Sequence, residues 1–119
     1  MPLMAAAFPI LPGKTAEWRT FMEQLNGPRH EEFVESRRRL GVRERTFLQQ
    51  TPTGDVVIVT LEGDDPGHAF GQMMSATDAF TAWFMERATA VHGIDPSAPT
   101  SSPPPELVAD TAKVPAAIG

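Results

Sequence analysis

The sequence predicts an α+β fold with the element order strand, helix, strand, strand, helix, strand (βαββαβ). Two extended runs separated by Pro52, Thr53 and Gly54 form a hairpin by turn chemistry and spacing. Apolar residues recur at helical spacing on both sides of that hairpin. A short apolar run comes before the first helical segment, and residues 106–112 offer a last strand after the second. Right-handed connections then place both helical layers on one face of an antiparallel sheet.

The first strand is predicted at Leu3 to Ile10, a short apolar run that is closed by Pro12 and Gly13. An amphipathic helix follows, with Thr15 as its predicted N-cap. Its apolar stripe has the spacing i, i+3, i+4, i+7 and consists of Trp18, Phe21, Met22 and Leu25.

A second helical piece is separated from the first by Gly27 and Pro28. It runs to Leu40 and buries Phe33 and Leu40, while Gly41 is placed to end it in a left-handed conformation. Together the two pieces form the first helical layer.

The hairpin consists of Val42 to Thr51 and Asp55 to Glu62. Its second strand, from Val56 to Leu61, does not alternate between apolar and polar residues, so apolar groups stand on both faces of the sheet. One face is covered by the helices. We expect the other to meet the same face of a second copy, which predicts a homodimer formed through the sheet faces.

The second helical layer begins with Asp65 as N-cap and Pro66 in the first turn. This short stretch carries Phe70, Met73 and Met74. After a pause a longer helix runs from Asp78 to a stop at Gly93. Its helically spaced residues are Phe80, Trp83, Phe84, Arg87 and Val91.

Composition limits the classes of function. The 119 residues and 41% apolar content indicate one folded domain, predicted at residues 1–95, with a Pro-rich tail at 96–119. The lack of cysteine excludes thiol catalysis and cysteine-based metal sites. A net charge of -5 argues against nucleic-acid binding. We expect no metal and no cofactor.

No targeting segment is apparent in the sequence. The apolar start at Met1 to Gly13 has no basic residue before it and contains two prolines, unlike a signal peptide. No run approaches the roughly 20 apolar residues that span a bilayer. We therefore expect a cytoplasmic protein without a membrane partner.

Three segments carry a resemblance to a known superfamily: residues 8–14 at the entry to the first helix, 38–41 at the exit of the second helical piece, and 60–66 after the hairpin. They resemble small, functionally uncharacterised bacterial proteins of the dimeric α+β barrel, ferredoxin-like superfamily, over about residues 3 to 95. The resemblance implies a homodimer with sheets packed face to face and a pocket between sheet and helices in each subunit. Its characterised members include cofactor-independent monooxygenases, haem-degrading enzymes, polyketide cyclases and stress-responsive barrel proteins. None of their active-site motifs matches this sequence.

Four residues are candidates for ligand binding. Arg45 lies on the first hairpin strand, and a guanidinium group suits an anionic ligand. His68 and His92 lie at helix ends, and histidine is the residue type that most often serves as an acid or base at neutral pH. Trp83 lies on an apolar stripe, where it serves either the core or a ligand platform.

Two functions are consistent with these observations. The first is a small-molecule-binding or accessory protein. The alternative is a cofactor-independent oxygenase or cyclase that acts on an aromatic or polyketide-like substrate, in which a dry pocket orients the substrate and one His or Arg assists proton transfer. The sequence leaves open whether the protein is an enzyme.

Overall fold

The structure is a computed structural model that describes residues 2–94 and 105–112. The elements in chain order are β1 (Leu3–Pro9), α1 (Thr15–Asn26), α2 (His30–Leu40), β2 (Val42–Thr51), β3 (Gly54–Gly63), α3 (Pro66–Ser75) and α4 (Ala79–His92). The strands form one antiparallel sheet in the order β1-β3-β2.

The fold is α+β, but the predicted βαββαβ order and the ferredoxin-like, dimeric α+β barrel fold are wrong. The observed order is β-α-α-β-β-α-α around a three-stranded sheet. Residues 106–112, predicted as the last strand, are exposed and form no strand. Leu107 and Val108 stay exposed, so the segment buries no apolar surface. The side chain of Asp110 accepts a hydrogen bond from the Ala112 backbone N–H at 2.8 Å, a local turn that competes with strand pairing.

The remainder of the predicted tail falls in residues 95–104 and 113–119, which lie outside the described residues. None of the helices in the described part of the chain is long and apolar enough to cross a bilayer.

The core lies between the helices and one face of the sheet. The register places Phe8, Val57 and Leu48 side by side on this covered face, and all alternate residues of each strand share it. Aromatic and aliphatic side chains of α1 and α4 pack against it. The buried cluster consists of Ile10, Trp18, Phe21, Leu25, Val57, Phe80 and Val91.

The opposite face of the sheet is open. Ala7, Ile58 and Phe47 lie side by side across its three strands. Phe47 is 53% exposed and Leu3, on the same face, is 47% exposed. The prediction that β3 presents apolar side chains to both faces of the sheet is confirmed.

Left-handed glycines and a side-chain hydrogen bond set the ends of several helices. Gly41 and Gly93 adopt left-handed conformations, with φ of 72° and 69°, where they end α2 and α4 as predicted. Asp65 caps α3 by accepting a hydrogen bond from the His68 backbone N–H at 3.1 Å. The predicted N-cap role of Thr15 is wrong, because its hydroxyl donates to the Asp55 carboxylate at 2.6 Å and ties α1 to β3 instead.

Candidate functional site

A narrow apolar cleft of about 60 Å³ lies between the covered face of the sheet and helices α1, α3 and α4. Its floor includes Val57 and Val59 of β3, beside Phe8 of β1. Other aromatic rings of the lining are Trp18, Phe21, Phe70 and Phe84. A lining of this kind favours an apolar occupant.

Methionine forms much of the remaining wall of the cleft. Four of the chain's six methionines line it: Met22, Met73, Met74 and Met85. A methionine side chain has three rotatable bonds and a polarisable sulfur, so it adapts its shape to a neighbouring group at small cost. The wall can therefore widen without a change in the backbone.

His92 is a polar group at the edge of the cleft, in the last turn of α4. Its Nδ1 lies 2.9 Å from the carbonyl oxygen of Pro9, and its ring lies 5.7 Å from that of Phe8. A carbonyl oxygen only accepts, so Nδ1 carries the proton and the neutral ring keeps an unprotonated Nε2. Burial lowers the pKa of His92, although the hydrogen bond to Pro9 partly opposes this effect. The ring is thus neutral at pH 7, with a basic nitrogen available.

A buried ion pair borders the cleft through its carboxylate group. The Nε–H of Arg37 in α2 donates to Glu44 of β2 at 2.6 Å, and the two side chains are only 5% and 4% exposed. The guanidinium also stacks between Phe33 and Phe84, at 5.0 and 4.7 Å from their ring centroids. Glu44 and Thr46 border the cleft. The charge of Glu44 is therefore balanced by Arg37 and is not free to hold a ligand cation.

A family model matches residues 1–113, nearly the whole chain. The chain belongs to DUF6176, a family of unknown function. No curated protein and no solved structure matches it. Membership in DUF6176 agrees with the expected resemblance to functionally uncharacterised proteins, whereas no relative supports the ferredoxin-like superfamily or a bacterial origin.

The four candidate residues of this DUF6176 chain lie in different places. His92 alone among them lines the cleft. Arg45 lies on the open face of the sheet, where it pairs with Glu62 at 3.4 Å. His68 is exposed in the first turn of α3. The sheet separates Arg45 from His92, so one ligand in the cleft cannot contact both side chains.

Trp83 is half-buried on α4, where it packs against the core. Its ring packs edge-on against Phe21 at 5.5 Å, and the guanidinium of Arg29 lies 4.1 Å from its centroid. Trp83 does not line the cleft, although its neighbour Phe84 does. In residues 2–94 and 105–112, no three His, Asp or Glu side chains are grouped as metal ligands would be.

The Arg37–Glu44 pair is the part of the site that sequence reasoning missed. The run Arg37 to Arg39 and its neighbouring glutamates are typical of a solvated helix face. A signal was nevertheless present, because Phe33, Arg37 and Leu40 follow the helical spacing i, i+4, i+7. That spacing places Arg37 on the apolar stripe of α2, which faces the sheet.

Proposed function

We propose that the chain binds a small, largely apolar molecule in the cleft between the sheet and the helices. The observation that carries this proposal is the lining, in which aromatic and methionine side chains surround a few polar groups that include the neutral His92. Ligand pockets have this composition, with polar groups fixing the orientation of the ligand.

The size of the cleft defines how a ligand enters. A cavity of about 150 Å³ accepts benzene, whereas this cleft holds about 60 Å³. A ring-sized ligand must therefore displace side chains. Met74 and Met85 are half-buried and line the cleft, so they are the groups that move at least cost.

Phenol and toluene are matched probes for this cleft, since they differ in one hydroxyl group. Titration of the ¹⁵N-labelled chain with each probe, followed by NMR, should give saturable shifts in α3, α4 and β3. Phenol has a donor for Nε2 of His92, so His92→Phe should weaken phenol about five-fold, as loss of one hydrogen bond implies, and leave toluene unchanged. His68→Gln is the control. No saturable shift around the cleft with either probe rejects the proposal.

A cofactor-independent oxygenase or cyclase is the second candidate function. The unprotonated Nε2 of His92 beside an apolar lining favours it, because such a nitrogen accepts a proton from a phenolic or enolisable substrate. The test is oxygen uptake and product formation with polyhydroxylated aromatic substrates. Turnover that disappears in His92→Phe supports an enzyme, and the absence of turnover in a chain that binds phenol supports the binding protein.

We also propose that a second copy of the chain covers the open face of the sheet. The central stripe of Ala7, Ile58 and Phe47 is apolar, and beside it Arg45 and Glu62 bring both charges to one surface. A surface with both charges around an apolar centre is complementary to itself under twofold symmetry.

Sedimentation at micromolar concentration tests this assembly. Phe47→Asp should shift the chain to monomer, because it places a charge in the centre of the apolar stripe. Val34→Asp is the control, since Val34 is equally exposed but lies on α2, away from the open face. A wild-type chain that sediments as a monomer excludes this proposal.

A further inference from the structure

A second concave surface lies outside the cleft, between α2 and the edge strand β2. This groove has a volume of about 360 Å³. Its apolar lining residues are Phe33, Val34 and Val42, and its charged or titratable ones are His30, Arg37, Arg38, Arg43 and Glu44. Val34 is 51% exposed, which is unusual for a large apolar side chain on a charged helix.

Arg37 has a donor group without a partner in this region. Its Nε–H donates to Glu44 at 2.6 Å, and its Nη1 donates to the Ser36 hydroxyl at 2.9 Å. Its Nη2 is buried and has no hydrogen-bond partner among the described residues. Buried polar groups in proteins are almost always satisfied, so an unsatisfied guanidinium nitrogen suggests a missing acceptor. Arg37 lines the groove, and because its Nη2 is buried, an acceptor in the groove reaches this nitrogen only after the guanidinium rotates.

The charge of the groove is positive although the chain is acidic. Three arginines and one glutamate line it, a formal sum of +2, in a chain of net charge -5. Glu44 compensates Arg37, and Arg38 pairs with Glu35 at 2.7 Å. Arg43 takes part in no ion pair within residues 2–94 and 105–112. Arg43 points to the open face of the sheet, opposite Glu62, but it also lines the groove at the edge strand β2, so it remains available to an anion there.

We propose that this groove binds an amphipathic organic anion. A carboxylate or phosphate group of the ligand accepts hydrogen bonds from Arg43 at the edge of β2 and, after rotation of the buried guanidinium, from Nη2 of Arg37, because guanidinium groups match the geometry of such anions. The apolar part of the ligand covers Phe33, Val34 and Val42. This site is separate from the cleft, since the Arg37–Glu44 pair stands between them and Glu44 borders both.

Octanoate and 1-octanol are suitable probes, because they have the same number of carbon atoms and differ in charge. Each is titrated into the ¹⁵N-labelled full chain below the concentration at which octanoate forms micelles. Octanoate should shift the Arg37 Nε–H signal and the backbone amides of α2 and of the start of β2. We expect 1-octanol to bind at least about ten-fold more weakly, because it lacks the charge-assisted hydrogen bonds.

Substitutions at exposed positions test the site without disturbing the buried ion pair. Arg43→Gln should weaken octanoate about five-fold, and Val34→Glu should weaken it at least about ten-fold by charge repulsion and loss of apolar contact. Arg45→Gln is the matched control, since Arg45 is on the same strand but does not line the groove. Thermal unfolding of each variant shows whether it is folded.

Several results would overturn the proposal. Octanoate shifts that centre on the cleft, or on Ile58 and Phe47 in the middle of the open face, place the anion elsewhere. Equal affinity for 1-octanol removes the role of the guanidinium groups, as does an equal effect of Arg43→Gln and Arg45→Gln. Absence of a saturable shift at millimolar octanoate also rejects it.

Discussion

The two faces of the sheet have similar apolar strands but different surroundings. On the covered face, Val57 and Leu61 are each 2% exposed beneath the helices. On the open face, Phe47 and Leu3 keep about half of their surface exposed. The difference shows that the apolar character of a strand does not determine its burial. Burial here depends on which face the helical connections cross.

Charged groups follow the same division. Glu44 and Arg45 are adjacent on β2 and therefore point to opposite faces. The pair formed by Glu44 with Arg37 is removed from water, whereas the pair formed by Arg45 with Glu62 is 41% and 35% exposed. Loss of one partner should therefore lower the free energy of unfolding more for the buried pair than for the exposed pair, because a buried charge without its partner is not solvated by water.

The largest expected effect comes from breaking the buried pair. Glu44→Gln should lower the free energy of unfolding by about 3–5 kcal/mol, because it leaves Arg37 as an uncompensated buried charge. Glu62→Gln, the matched change at the exposed pair, should cost less than about 1 kcal/mol. Urea unfolding measures both. Equal losses would show that the Arg37–Glu44 pair is hydrated in solution.

A second comparison uses two leucines of the same sheet. Leu61→Ala on the covered face should cost about 2–5 kcal/mol, since it leaves a cavity in a packed core. Leu3→Ala on the open face should cost less than about 1 kcal/mol for an isolated chain. Denaturant unfolding at several protein concentrations distinguishes an isolated chain from an assembled one. If the loss of stability in Leu3→Ala rises with protein concentration, a partner covers the open face.

Local signals allowed most elements to be predicted from the sequence. Gly41, Gly93 and the turn at residues 52–54 fix element ends by backbone conformation, which acts over a few residues. The prediction of a last strand was wrong, because strand pairing at residues 106–112 depends on a partner far away in the sequence. The segment itself offers only two neighbouring large apolar residues. A run of that kind is compatible with a strand and also with an exposed turn.

The candidate site was predictable only in part. His92 was chosen for its chemistry and its position at a helix end, and the structure places it beside the cleft. The link between Arg37 and Glu44 crosses from a helix to a strand, so it depends on the rotation of α2 and the register of β2 together. Methionine has no pattern that separates a cleft wall from ordinary core packing.

The smallest expected effect concerns His92, on the covered side of the sheet, and the pH dependence that it adds to the free energy of unfolding. Burial lowers the pKa of His92 in the folded chain below its ordinary value of 6.5. As the pH falls through 6.5, the unfolded chain binds the proton first, so the free energy of unfolding decreases until the folded pKa is passed. The stabilisation that neutral His92 gives to the folded chain is therefore complete above pH 6.5 and is lost on acidification.

Chemical denaturation between about pH 7.5 and pH 5.5 measures this slope, in a window above most carboxylate titrations. His92→Phe should make the slope shallower, whereas His68→Gln, at an exposed position, should retain it. An unchanged slope in His92→Phe would mean that another group causes the acid sensitivity and that His92 is hydrated in solution. In that case Nε2 of His92 would not be held in an apolar cleft, and the cleft would lack the hydrogen-bond acceptor proposed for phenol.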